Sequence, residues 1–235
     1  MTGTLYGLGV GPGDPELITL KAHRILLAAP VLAYPAPETR DSLARQIVAP
    51  HLNGDKTEVA IRMPLSAPSF PDESVYGAAA STLGKHLATG QDVAVLCEGD
   101  PFFYGSFMYL FARLAKQHTV EVVPGVSSPM ACSAVLGAPL AAQNDILTIL
   151  PATLETQLLK ERLVTCDAAA IIKIGRHLPR IRDMLYDMKL MEHARYIERA
   201  TMESQRILPL DSVDPVTSPY FSMILVHRRG QAWLR

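Results

Sequence analysis

Carboxylates set beside glycines are the residues in this chain best placed to do chemistry. Asp14 closes the run Gly7-Leu8-Gly9-Val10-Gly11-Pro12-Gly13-Asp14-Pro15, and Glu98 and Asp100 flank Gly99 in Glu98-Gly99-Asp100-Pro101-Phe102-Phe103-Tyr104-Gly105. Glycines allow close approach, so a flat ligand or an adenosine could lie against the main chain there while acidic side chains hold its polar groups. Each loop contains Asp-Pro, an N-cap followed by the residue best tolerated at the first helical position. The plainer reading of Asp14 is that it only caps a helix. Each loop also follows an apolar run that reads as a buried strand, Leu5 to Val10 and Val93 to Cys97. In an open α/β sheet ligands bind where strands end and such loops begin, so two loops of this kind suggest two ligands.

The first loop fails the dinucleotide fingerprint G-x-G-x-x-G in register. Pro12 stands third after Gly7 and Gly9, and Glu16 stands third after Gly11 and Gly13. No G-K-[ST] triplet marks a P-loop. The seven histidines show no H-E-x-x-H or similar spacing, which argues against a bound catalytic metal. With 22 basic against 23 acidic residues the charge is balanced, which speaks against a nucleic-acid partner. Basic residues do gather at Lys173, Arg176, His177, Arg180 and Arg182, and again at Arg195, Arg199 and Arg206. These read either as solvated helix faces or as contacts to a polycarboxylate ligand.

At 235 residues, 49% of them hydrophobic, the chain can form two domains with ample core. No apolar run reaches the roughly 18 residues needed to cross a bilayer, so no membrane partner is expected. The N-terminus enters a strand without the basic stretch of a secretory signal. Cys97, Cys132 and Cys166 lie far apart in apolar surroundings and read as reduced core residues, which points to the cytoplasm.

Stepping along the chain, apolar runs alternate with helical patterns. A strand over Leu5–Val10 is followed by an amphipathic helix over Pro15–Ala28, a strand at Val31–Tyr34, a helix at Asp41–Ala49 and a strand at Thr57–Met63. A proline-rich loop (Pro64, Pro68, Pro71) leads to a helix over Asp72–Thr89. Strand Asp92–Cys97 then delivers the second special loop, with a helix at Ser106–Lys116 and a strand at Thr119–Val123 beyond it. Pro124-Gly125-Val126-Ser127-Ser128 reads as the domain junction, turning into a helix over Met130–Leu136. Strands at Asp145–Leu150, Ala168–Ile174, Ala194–Glu198 and Tyr220–His227, with helices near Leu154–Val164 and Leu178–Met188, complete the pattern. The expected architecture is two α/β domains, 1–123 and 124–235, with mainly parallel sheets.

Gly-Val-Gly-Pro-Gly-Asp-Pro-Glu-Leu-Ile-Thr-Leu-Lys-Ala (9–22), Glu-Gly-Asp-Pro-Phe-Phe-Tyr-Gly-Ser (98–106), Pro-Gly-Val-Ser-Ser (124–128), Ile-Lys-Ile-Gly-Arg (172–176) and Glu-Arg-Ala-Thr-Met-Glu-Ser-Gln-Arg (198–206) occur in this order. Together they resemble the tetrapyrrole methylases, which methylate corrin and sirohaem precursors with S-adenosylmethionine, releasing S-adenosylhomocysteine. The motifs span nearly the whole chain. The resemblance implies two α/β domains with the cofactor in the cleft between them, usually in a homodimer. It implies that Glu98, Gly99, Asp100 and Phe103 wrap the methionine and ribose portions, and that Ser127 and Ser128 contact the cofactor too. Ile174 would lie beside the adenine and Ala200 would give a backbone contact. The Gly9–Asp14 loop would line the tetrapyrrole trough, with Pro12 touching both ligands. Ile174 replaces a methionine found in many relatives, and Ser127-Ser128 replaces the Thr-Ala of uroporphyrinogen methylases. Both departures favour the corrin pathway. The long start of the first helix, the inserted Arg62–Asp72 segment and Ile-Lys-Ile-Gly-Arg are most similar to members acting on precorrin-2 at C-20.

Such a reaction joins a sulfonium methyl to an electron-rich meso carbon, so orientation supplies much of the acceleration. The proton leaving C-20 would pass to Asp14, Tyr104 or water. The substrate's carboxylate arms would suit some of Lys21, Arg24, Arg62, Arg113, Lys173 and Arg176. Metal-free and cobalt-bound substrates both remain open, as do other family members and a non-catalytic tetrapyrrole carrier.

Overall fold

A computed structural model describes residues 2–63 and 72–229. The proline-rich loop, and with it all but the two ends of the Arg62–Asp72 segment, lies outside the described residues. The chain divides into two compact units, 1–127 and 128–235.

The first unit runs β1 (Thr4–Gly9), α1 (Leu20–Ala28), β2 (Val31–Pro37), α2 (Leu43–Val48), β3 (Thr57–Met63), α3 (Glu73–Ala88), β4 (Val93–Cys97), α4 (Phe107–Leu114) and β5 (Thr119–Val123). Its five strands lie in the order β3-β2-β4-β1-β5, and every pair is parallel. β4 is apolar throughout because both its faces are covered, as parallel sheets require. Val93, Val95 and Cys97 meet α3 and α4 through Tyr76, Leu83, Phe107 and Leu110. Ala94 and Leu96 meet α1 and α2 through Ala22, Leu26, Ala44 and Ile47. The expected helix over Pro15–Ala28 is two pieces. Asp14 accepts the Glu16 N–H at 2.8 Å and starts only a 3₁₀ turn over Pro15–Leu17. Thr19 then caps α1, accepting from the Ala22 N–H.

The second unit runs α5 (Ser128–Leu136), β6 (Leu147–Pro151), α6 (Thr156–Thr165), β7 (Ala168–Ile172), α7 (Leu178–Asp187), β8 (Ala194–Glu198), β9 (Arg206–Leu208) and β10 (Ser222–His227). Strand order is β6-β7-β10-β8-β9. α6 and α7 cover one face through Leu159, Leu163, Ile181 and Leu185. α5 covers the other through Cys132, with Ala170, Ile172 and Leu225 beneath it. Here the expectation of mainly parallel sheets needs correction. β6–β7 is parallel, but β7–β10, β10–β8 and β8–β9 are antiparallel. β8 and β9 follow one another without a helix between them, as antiparallel neighbours can, and β10 enters between β7 and β8 running opposite to both. β9 is a short half-exposed edge strand that hydrophobic periodicity does not flag.

Candidate functional site

Adjacent strands β1 and β4 lead to helices on opposite faces of their sheet, α1 on one side and α4 on the other. That is a topological switch point, where an open sheet leaves a crevice at its carboxyl ends. The two special loops meet there. Gly99 N–H donates to the Gly11 carbonyl at 2.7 Å, and Gly11 N–H returns a bond to Gly99 O at 3.3 Å. The segment after β5 joins them, since a Cβ on Gly125 would lie 2.1 Å from Gly99 O and 2.8 Å from Gly9 Cα. These glycines therefore let three strand ends close on one another, a use that precedes any contact with a ligand.

Asp100 fastens this knot. Its Oδ1 accepts the N–H groups of Phe102 (2.9 Å) and Phe103 (3.1 Å), and its Oδ2 accepts the Gly125 N–H at 3.1 Å. No helix starts at Asp100-Pro101; α4 begins only at Phe107. Asp100 thus makes an Asx-type turn in place of the expected cap. This tie also explains why Pro124 to Ser127 belong with the first unit.

Glu98 is half-buried, and its Oε1 accepts the Ala44 N–H at 3.3 Å. Burial raises its carboxyl above the ordinary value of 4.5. Among the described residues neither Glu98 nor Asp100 forms an ion pair with a lysine or arginine. Two carboxylates at a switch point without cationic partners make a donor set suited to a positively charged ligand. The cost of keeping Glu98 ionised is measurable. A raised carboxyl makes the fold bind the proton more tightly than the unfolded chain does, so stability falls as pH rises from about 4.5 through the raised value. Glu98→Gln keeps the acceptor for Ala44 and removes the charge. Its melting temperature should match wild type near pH 4 and exceed it at pH 8, while affinity for a cationic ligand falls. Equal melting curves at both pH values would refute the cost.

Around this crevice, Pro12 and Phe103 are half-buried, and the Phe103 ring meets Tyr104 edge-on at 5.1 Å. Phe102 turns away, its ring 5.3 Å from Phe111 on α4. Ser127 ends the first unit, and exposed Ser128 opens α5.

In the second unit the carboxyl ends of β7 and β8 and the amino end of β10 share one sheet edge. Ile174 is fully buried in the core with Leu178 and Ile181. The expectation placed Ile174 beside an adenine; with its side chain in this core, a ligand there would meet its main chain. Ala200 is 8% exposed and belongs to the apolar cluster beneath α5.

Backbone strain marks these same loops. Among the described residues six non-glycine residues have positive φ, and Tyr104, Lys173, Arg199 and Thr201 all fall within the motifs. Strained φ values persist only where the surroundings over-determine them, and they gather at functional sites. Nothing in the sequence signals them except their place in motifs. In the second unit, exposed Tyr220 and Phe221 lie 5.2 Å apart edge-on, with Phe221 O accepting the Arg199 N–H.

Several candidate carboxylate-binding cations are already engaged. Lys21 pairs with Glu121, Arg113 with Glu73, and Arg62 donates to the carbonyls of Pro37 and Arg40. Arg180 and Arg182 brace loop carbonyls of Leu154 and Val213. Arg24 and Arg176 hold no hydrogen bond or ion pair among the described residues.

The chain belongs to the tetrapyrrole (corrin/porphyrin) methylases, whose family model matches residues 4–214. It is 40% identical over 232 residues to a protein of a Sinorhizobium species named precorrin-2 C(20)-methyltransferase, covering 95% of each chain. It is 33% identical over 235 residues to the cobalt-precorrin-2 C(20)-methyltransferase of Salmonella typhimurium, covering 98% of this chain and 99% of that one. The cobalamin biosynthesis protein CobIJ of Mycobacterium tuberculosis is 40% identical over 232 residues, 95% of this chain but 46% of its own, so the chain spans about half the length of that relative. Among solved structures, uroporphyrin-III C-methyl transferase from Thermus thermophilus, complexed with S-adenosyl homocysteine, matches with a TM-score of 0.69. It is 24% identical over 95% of this chain and 97% of that one, a likeness of fold.

Proposed function

We propose that this chain methylates precorrin-2 at C-20 with S-adenosylmethionine, giving precorrin-3A, a step of cobalamin biosynthesis. The observation that carries the reading is the near end-to-end match, at 40% identity, to the Sinorhizobium protein of that name. The donor set supports the cofactor. Its ammonium and sulfonium are cations, and Glu98 and Asp100 are half-buried carboxylates without an ion-pair partner among the described residues. When bound, the cofactor supplies an electrophilic methyl group. Pro12, Glu98, Gly99, Asp100, Phe103, Ser127, Ser128, the main chain at Ile174 and the main chain at Ala200 serve as its contacts. The chain's own part is to orient the two reactants in line, since both are intrinsically reactive. Arg24 and Arg176, uncommitted elsewhere among the described residues, are the first choices for substrate carboxylates. We place the chain in the cytoplasm as a homodimer, with sedimentation as the check on its size.

Asp14, the carboxylate of the loop that follows β1, is the proposed acceptor of the C-20 proton; its Oδ1 accepts the Glu16 N–H. Asn caps as well as Asp, so Asp14→Asn should keep its melting temperature while turnover falls by roughly 100-fold. Wild-type turnover would leave Asp14 with the turn alone and pass the proton to Tyr104 or water.

The deciding experiment is carbon NMR of product formed from methyl-labelled donor, in separate arms with precorrin-2 and with its cobalt complex. One labelled methyl at C-20 and one S-adenosylhomocysteine per turnover are expected, with metal-free precorrin-2 preferred. A methyl at C-17, C-11 or C-1 would refute the position and leave a methylase of another precorrin. Tetrapyrrole binding without turnover would mean a carrier.

A further inference from the structure

The second unit buries a carboxylate that none of the proposed cofactor contacts uses. Glu198, the last residue of β8, has a side chain only 2% exposed. Its Oε1 accepts the Tyr196 hydroxyl at 2.9 Å, and that hydroxyl also lies 2.9 Å from Ser218 Oγ. Its Oε2 is 3.7 Å from Nη1 of Arg199 and 3.7 Å from Nη1 of Arg206. Arg206 stands directly opposite Glu198 in the β8–β9 ladder, and Ser222 opposite it in β10. One carboxylate therefore ties together both ends of the segment 199–206.

That segment begins with a corner the backbone does not favour. Arg199 has φ +46° and Thr201 has φ +69°, and for a β-branched residue such a value is an outlier that needs outside support. The support is visible. Arg199 N–H donates to Phe221 O at 2.8 Å, Gln205 Oε1 accepts the Thr201 N–H at 2.7 Å, and the Arg199 side chain is drawn onto Glu198. Ala200 lies between the two left-handed residues with its methyl buried, so the direction its main chain faces is set by this corner.

We propose that Glu198 is a positioning residue for cofactor affinity: its carboxylate, held by Tyr196 and paired with Arg199 and Arg206, locks the corner that presents the Ala200 main chain to the adenosine half of the cofactor. This rests on the cofactor reading above and adds a residue to it. A buried carboxylate facing two partly exposed guanidinium groups is a poor device for stability alone, because its desolvation offsets much of the attraction. Its worth lies in holding one conformation. The positional effect should appear in donor affinity and leave the tetrapyrrole side untouched.

Glu198→Gln tests it. The amide oxygen still accepts from Tyr196, but the charge that gathers the two arginines is gone. Calorimetric titration should show the dissociation constant for S-adenosylhomocysteine raised about tenfold. KM for the donor should rise in step, while kcat at saturating donor and KM for the tetrapyrrole stay within about twofold of wild type. A folded variant with an unchanged dissociation constant overturns the proposal, even if its melting temperature has dropped, since that is the signature of a merely structural ion pair. Should Glu198→Gln fail to fold, Arg206→Gln decides, because that side chain is 55% exposed and can be removed without opening the core. A severalfold weaker titration supports the proposal and an unchanged one overturns it. A wild-type chain that binds no S-adenosylhomocysteine would bring down the cofactor reading itself, an outcome separate from either variant's result.

Discussion

Gly125→Ala is expected to lower the melting temperature by roughly 10 °C and to weaken S-adenosylhomocysteine binding about 100-fold. Conformational freedom is not the cause, since Gly125 is not among the residues with positive φ. The cause is space. The added Cβ would lie 2.1 Å from the Gly99 carbonyl oxygen, 2.8 Å from Gly9 Cα and 2.8 Å from Gly9 C. All of these are backbone atoms, so no side chain can swing aside. Relief requires main chain to shift after β1, β4 or β5, and any of these shifts strains the Gly11–Gly99 pair or the Gly125–Asp100 bond. Over-packing of this kind costs about 1–3 kcal/mol or more, and a displacement near 1 Å at a binding loop can cost a hundredfold in function. Gly77→Ala is the matched control. It sits in α3 with nothing within 4 Å of a new Cβ, so it should stabilise by about 0.5–1 kcal/mol. Thermal melts and titration of both variants provide the check, and a Gly125→Ala protein that behaves like the control would refute the knot.

Asp100→Ala should cost about 2 kcal/mol, because three backbone N–H groups from two loops lose their acceptor at once. The Gly125 N–H is the expensive one, as it ties the third strand end to the other two. Asp100→Asn separates the two jobs. Its amide oxygen can keep the turn over Phe102 and Phe103, but the amide nitrogen then faces Gly125 N–H, donor against donor. Stability of the Asn variant should therefore fall between wild type and Ala, with affinity for S-adenosylhomocysteine reduced in both. If Asn and Ala both melt with wild type, the carboxylate does not hold the loops and would be free for a ligand alone.

Much of this architecture was legible in the order of residues. The strand at Thr57–Met63 and those at Thr119–Val123 and Ala194–Glu198 are read with their observed bounds, because apolar content, β-branching and flanking turn residues are local properties. The ordered motifs carry the family resemblance likewise, since residue types, order and spacing are read directly along the chain. The candidate carboxylates Glu98 and Asp100 were also visible, but not how they are used. That Asp100 binds Gly125, twenty-five residues away, and that Gly9, Gly99 and Gly125 close on one another, depends on the parallel order β4-β1-β5. Sequence spacing does not carry that order. Tertiary structure alone set β10 between β7 and β8 and antiparallel to both, because strand direction follows from which strands pair when the sheet forms. It also withdrew the side chain of Ile174 into the core and set Glu198 against two arginines. Local periodicity decides which residues form strands and helices. Which strand ends meet, and which polar groups then find each other, is settled only when the sheets assemble and bury their faces.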